Sequence, residues 1–122
     1  MRVFLLLLGC VLLPWVPARA QWRTEHTVLA ISSSAAIAGD WLLTADALRQ
    51  GTYQELNPIL GPHPSLGSLT TYSLLAVGAN LAIGRLLPPA VRGLWFAAVT
   101  GFESAIVIHQ YHIGLRVNLS SL

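Results

Sequence analysis

The sequence predicts an all-α membrane protein, a bundle of three transmembrane helices that follows a cleavable N-terminal signal peptide. Two features of the composition and pattern lead to this fold class. The chain is 54% hydrophobic and only 10% charged, whereas a typical soluble domain has about 25% charged residues. Beyond the first 20 residues, three apolar stretches are each long enough to cross a bilayer, which takes about 20 residues.

Residues 1–20 have the pattern of a secretory signal peptide. An early arginine is followed by an apolar run of about 11 residues, too short for a spanning helix, and by the small-x-small ending Ala18-Arg19-Ala20. Cleavage after Ala20 leaves residues 21–122 as the transmembrane domain. Two alternatives are an uncleaved anchor and lipidation at Cys10, the only cysteine, because Leu7-Leu8-Gly9-Cys10 is similar to a lipobox.

The charge of the chain gives no sign of a nucleic-acid-binding surface. The net charge of +2 includes Arg2 and Arg19 of the predicted leader. Without them the arginines and the acidic residues balance, and no basic patch remains.

The first helix is predicted over about residues 27–48. Its small and polar residues recur every fourth position, at Ser32, Ala36, Asp40 and Thr44. A carboxyl group in hydrocarbon is costly, so Asp40 needs a partner from another helix. Structural pairing and a catalytic role both remain open for it.

A connector with three polar side chains follows, and then the second helix, over about 68–87. Glu55, Asn57 and His63 can cap backbone groups or coordinate a ligand, and Glu55-Leu56-Asn57-Pro58 is typical of a turn. In the second helix, Ala76, Asn80 and Gly84 share one face.

The third helix is predicted over about 90–115 and has two distinctive faces. One is a stripe of small residues that we expect to pack inside the bundle, Gly93, Ala97, Gly101 and Ala105, continued by His109. Glu103 and Gln110 are on the opposite side from His112. They form a predicted interaction face, or Glu103 is protonated and hydrogen-bonded between helices.

Three spans bring the ends of helices one and three and the connector to the same membrane side. This arrangement of the spans predicts one polar cluster on that side, formed by Asp40, Thr44, Asp46, Glu55, Asn57, Asn80, His109 and His112. An exported leader puts this cluster on the cytoplasmic face, although arginine counting slightly favours the other side. The spacing of the two histidines suits a metal such as zinc or iron, with Asp46, Asp40 or Glu55 as oxygen ligands. The alternative is that both histidines lie in the membrane interface, hydrogen-bonded near the helix end.

The motifs Asp40-x-x-x-Thr44 and Glu55-x-Asn57-Pro58, with a late histidine, resemble an uncharacterised bacterial family. This family consists of small multi-pass membrane proteins under a domain-of-unknown-function label. The resemblance covers most of the mature chain and implies a bacterial inner-membrane location. It also implies importance for Asp40, Thr44, Glu55, Asn57 and His109, but no reaction.

The sequence therefore favours a structural or interaction role without a cofactor. The expected partners are the lipid bilayer and, through helix three, a second copy or another membrane protein. One alternative is a metal-dependent membrane hydrolase, with His109, His112, Asp46 or Asp40 as ligands and Glu55 as general acid/base. Another is a proton-coupled transport component that works as an oligomer and uses Asp40 and Glu103.

Overall fold

The computed structural model describes residues 22–51 and 54–117. The described part contains three α-helices and no strand: α1 Thr24–Gln50, α2 Leu66–Leu86 and α3 Pro89–His112. All three are long and apolar enough to cross a membrane. The predicted all-α fold class with three spans is thus confirmed. The predicted signal peptide lies outside the described residues.

Local capping interactions set the helix ends. At the start of α1, the Arg23 N–H donates to Nδ1 of His26, and at the start of α2 the Ser65 hydroxyl accepts from the Ser68 N–H.

The third helix ends at His112 rather than near residue 115. Gly114 takes a left-handed conformation there (φ 100°) and Leu115 N–H donates to Gln110 O, the pattern of a Schellman motif.

Helix α1 is the centre of the bundle. It packs more extensively on both α3 and α2 than those two pack on each other. Hydrogen bonds from α1 to α2 join Trp41 to Thr70 and Ser33 to Asn80, so these helices are antiparallel. Near the start of α1, Leu29 lies opposite Gly93 of α3. Further along both helices, Gly39 lies opposite Val107 and Asp40 bonds Gln110. Helices α1 and α3 are therefore parallel.

The close contact between α2 and α3 depends on a glycine. Phe96 is fully buried and its ring lies against Gly84, where an added Cβ would be only 2.1 Å from the ring atom Cζ. Trp22, just before α1, packs edge-on against the same ring. The tight packing of α2 on α3 therefore needs a residue without a side chain at position 84.

The outward faces of the helices are apolar. Large hydrophobic side chains are exposed along all three spans, including Val28, Ile31, Leu74, Leu75, Leu94, Phe102 and Ile108. On a water-soluble protein such exposure would be exceptional, but in a bilayer it is the surface that contacts lipid. The fold thus has the outer surface of a multi-pass membrane protein.

A Gly84→Ala substitution tests the contact with Phe96. We expect it to lower the free energy of unfolding by about 1–3 kcal/mol, because the added methyl group forces the ring or the helices apart. Gly78→Ala is the matched control in the same helix, since a Cβ at position 78 has no neighbour within 4 Å. Equal stability of the two variants in detergent unfolding measurements would contradict this packing.

Candidate functional site

One polar contact joins all three helices. The Asn80 side chain of α2 donates from Nδ2 to the Ser33 hydroxyl of α1 at 2.8 Å. It accepts at Oδ1 from the indole N–H of Trp95 of α3 at 3.0 Å. Asn80 and Ser33 are buried, and the hydroxyl of Ser33 donates in turn to Ala30 O. We call Ser33, Asn80 and Trp95 the Asn80 junction.

A buried arginine binds the α2–α3 turn. Arg92 is 0% exposed, and its guanidinium donates to the carbonyl oxygens of Gly84 and Leu87 at 2.7 and 2.9 Å. These carbonyl groups are at the end of α2, where no further helical turn supplies donors. The guanidinium also lies 4.8 Å from the centre of the Trp22 ring, a cation–π contact. Arg92 thus caps one helix from the start of the next.

A second polar contact joins α1 to α3, nearer to the C-terminal ends of both helices. Gln110 Nε2 donates to Asp40 Oδ1 at 2.5 Å and to Thr44 Oγ1 at 2.9 Å. The Thr44 hydroxyl is 3.3 Å from the same Asp40 oxygen. We call these three residues the Asp40 triangle. Asp40 is ten residues before the end of α1, whereas Gln110 is two residues before the end of α3. The triangle therefore lies beside the last turn of the third helix.

The segment from Leu43 to Ala47 is enclosed on all sides. Its five consecutive residues are buried, although a single packed face of a helix would bury only every third or fourth one. Asp46 belongs to this segment and accepts from the Gln50 side-chain amide at 2.8 Å. This segment of α1 is therefore covered all round by protein, whereas Arg49 and Gln50 at the end of the helix are exposed.

The Glu55 and Asn57 side chains stabilise their own turn. Glu55 Oε1 accepts from the N–H groups of Leu56 and Asn57, both at 2.9 Å, and Asn57 Oδ1 accepts from the Ile59 N–H at 3.0 Å. Across the turn, the Glu55 N–H donates to Pro62 O. The Glu55 carboxylate is also within electrostatic reach of Asp40. These bonds describe a folded connector in which Glu55 has a capping role.

The third helix is rotated relative to the expectation from sequence. Gln110, predicted on an outward interaction face, is 3% exposed and bonds α1. Glu103 is half-buried and within electrostatic reach of Asp40. His109 and His112 are exposed, and neither imidazole side chain forms a hydrogen bond within the described residues. The stripe expected inside the bundle faces outward at Ala97, Gly101 and Ala105.

The predicted polar cluster is therefore divided into separate parts. Asp40 and Thr44 are together, but their partner is Gln110, whereas Asn80 belongs to a different junction with Ser33 and Trp95. Among the described residues, no group of three or more His, Cys, Asp or Glu side chains is placed to hold a metal ion. The four predicted metal ligands do not form such a group there.

Sequence reasoning missed Ser33, Trp95 and the inward position of Gln110. A usable signal was present for Gln110, because Thr100, Glu103 and Gln110 share one side of α3 and polar residues in a span usually face the bundle interior. The stripe of small residues predicts the opposite orientation of α3. No sequence signal distinguishes Ser33 from Ser32 and Ser34, since only the rotation of α1 decides which of them meets Asn80.

The fold and its interhelical polar contacts define a three-span α-helical membrane protein. No family model, curated protein or solved structure matches the chain. The family resemblance inferred from the Asp40, Thr44, Glu55 and Asn57 motifs therefore stays a prediction.

Asn80→Ala tests the Asn80 junction. We expect it to lower the free energy of unfolding by about 1–2 kcal/mol, because the bonds to Ser33 and Trp95 are lost inside the span. A double-mutant cycle with Ser33→Ala should give a coupling energy of roughly 0.6 kcal/mol. Ser73→Ala in the same helix is the control; an equal loss of stability in that variant would contradict the assignment.

Proposed function

We propose that this protein is a small integral component of the bacterial inner membrane with a structural or interaction role. The bacterial location is inferred from the resemblance in sequence motifs. If the leader is exported, the C-terminal ends of α1 and α3 and the connector are on the cytoplasmic side. The proposed role is to hold three spans in one fixed arrangement and to present their outer surface to lipid and to a protein partner.

The observation that carries this proposal is the use of the buried polar side chains. Asn80, Gln110 and Arg92 each bond a different helix or helix end from the one they belong to. Polar groups committed to such contacts stabilise the bundle, because hydrocarbon offers no alternative partner. They are the groups that a catalytic site would need free to contact a substrate.

The geometry gives less support to the metal-dependent hydrolase. His109 and His112 are exposed on the outer side of α3. Asp40 lies between α1 and α3, where it bonds Gln110. The three side chains are therefore not arranged around one metal ion. Glu55, the candidate general acid/base, bonds the backbone of its own turn. A transport role using Asp40 and Glu103 would need further copies of the chain to line a pathway.

We place the proposed partner contact on the outward side of α3 instead of on the side of Glu103 and Gln110. There Ala97, Gly101 and Ala105 are exposed, with His109 beyond them. Small residues in a span let another helix approach closely. Gln110 cannot take part in this contact, because it is enclosed between α1 and α3.

A His109→Ala/His112→Ala double variant tests the structural role against the metal enzyme. We expect its free energy of unfolding to stay within about 0.5 kcal/mol of the parent, because both side chains are exposed. Gln110→Ala, between the two histidines, should cost roughly 1–2 kcal/mol. Elemental analysis of the purified parent and double variant should give the same metal content; near-stoichiometric metal that only the double variant lacks would overturn the proposal.

A further inference from the structure

Two carboxyl groups in the spans have no positive partner within the described residues. Asp40 belongs to α1 and Glu103 to α3, and the two carboxyl groups are within electrostatic reach of each other. The ion pair that the described part contains is Arg23–Glu25, on the exposed start of α1. Amide and hydroxyl groups surround Asp40 but bring no charge. Because a buried negative charge is costly without a counter-charge, this place in the bundle favours a cation.

A buried oxygen atom at the same place also has no partner. Gln110 has two N–H groups on Nε2, and these donate to Asp40 and to Thr44. The other end of the same amide, Oε1, is buried and has no hydrogen-bond donor within the described residues. It is bonded to the same carbon atom as Nε2, which donates to Asp40, so it belongs to the same polar cluster. An unpaired buried carbonyl oxygen is costly and needs an explanation.

A proton on Asp40 would not satisfy this oxygen. With the amide as it stands, both N–H groups keep their acceptors and Oε1 stays unpaired. If the amide were reversed, Oε1 would accept from Thr44 and from a protonated Asp40, but the Nε2 donors would then be buried without acceptors. A cation beside Oε1 pairs the oxygen and balances the carboxylate while every existing bond remains.

We propose that the Asp40 triangle binds a monovalent metal cation of the size of sodium. The protein ligands are Gln110 Oε1 and the Asp40 carboxylate, with the Thr44 hydroxyl beside them. Oxygen atoms of this kind replace the hydration shell of an alkali cation in membrane proteins. Glu103 contributes negative potential from the facing helix. Asp40 is the one carboxylate among the proposed ligands, and together with neutral oxygens it suits a single positive charge, whereas Ca²⁺ takes 6–8 oxygen ligands.

The inference goes beyond the structural role proposed above. The ion stabilises the contact between α1 and α3, so the stability of the bundle becomes dependent on sodium. Its failure would leave the hydrogen bonds of the triangle and the structural role as they are.

The test is the thermal stability of the purified protein in detergent at fixed pH, titrated with sodium chloride. Choline chloride keeps the ionic strength constant, because screening of surface charges alone changes stability. We expect a saturable rise in Tm of roughly 5 °C or more with sodium and none with choline. Equal curves for the two salts would overturn the proposal.

Two variants and a chemical probe assign the effect to the triangle. Asp40→Asn removes the charge but keeps an acceptor for Gln110, so the sodium-dependent shift should disappear. Glu25→Gln, on the exposed start of α1, should keep the full shift. In the parent protein, dicyclohexylcarbodiimide should label Asp40 more slowly when sodium is present, as measured by mass spectrometry. A sodium-dependent shift that survives in Asp40→Asn, or labelling of Asp40 that sodium does not slow, would contradict the site.

Discussion

The hydrogen bond from Gln110 to Asp40 determines how the third span is rotated. A carboxyl group in the middle of an apolar helix is costly unless a neighbouring helix supplies a partner, and Gln110 is that partner. Once Gln110 faces α1, Glu103, seven residues earlier, is brought to the same side, and His109 and His112 face outward. The exposure of the histidines and of the small residues on α3 therefore follows from one interhelical contact.

The other buried polar groups hold the remaining helices in the same way. Asn80 joins α2 to both neighbours, and Arg92 ties the start of α3 to the last carbonyl groups of α2. In water each contact would compete with solvent, but in a bilayer no solvent donor is available along the spans. The bundle is thus organised by a few polar contacts on an apolar background, with α1 in the centre.

The fold class could be predicted from sequence because length and hydropathy alone indicate a membrane span. The partners of Asp40 and Asn80 could not, since a shift of one residue along a helix turns a side chain by about 100°. Gln110 and His109 are neighbours in sequence, yet one is buried and the other exposed. On α3, the stripe of small residues and the stripe of polar residues each predict a different side of the helix to face the bundle. The polar side faces inward, because leaving polar groups in lipid is costly.

The most direct test of this account is disulfide cross-linking between α1 and α3, in a chain whose Cys10 is replaced by serine. A Cβ at Gly39 would lie 3.8 Å from a methyl group of Val107, so Gly39→Cys/Val107→Cys should form a disulfide readily under mild oxidation. Gly39→Cys/His109→Cys, with the second cysteine on the outward side, should not. Efficient cross-linking of the His109 pair and none of the Val107 pair would contradict the rotation of α3 and, with it, the contact between Gln110 and Asp40.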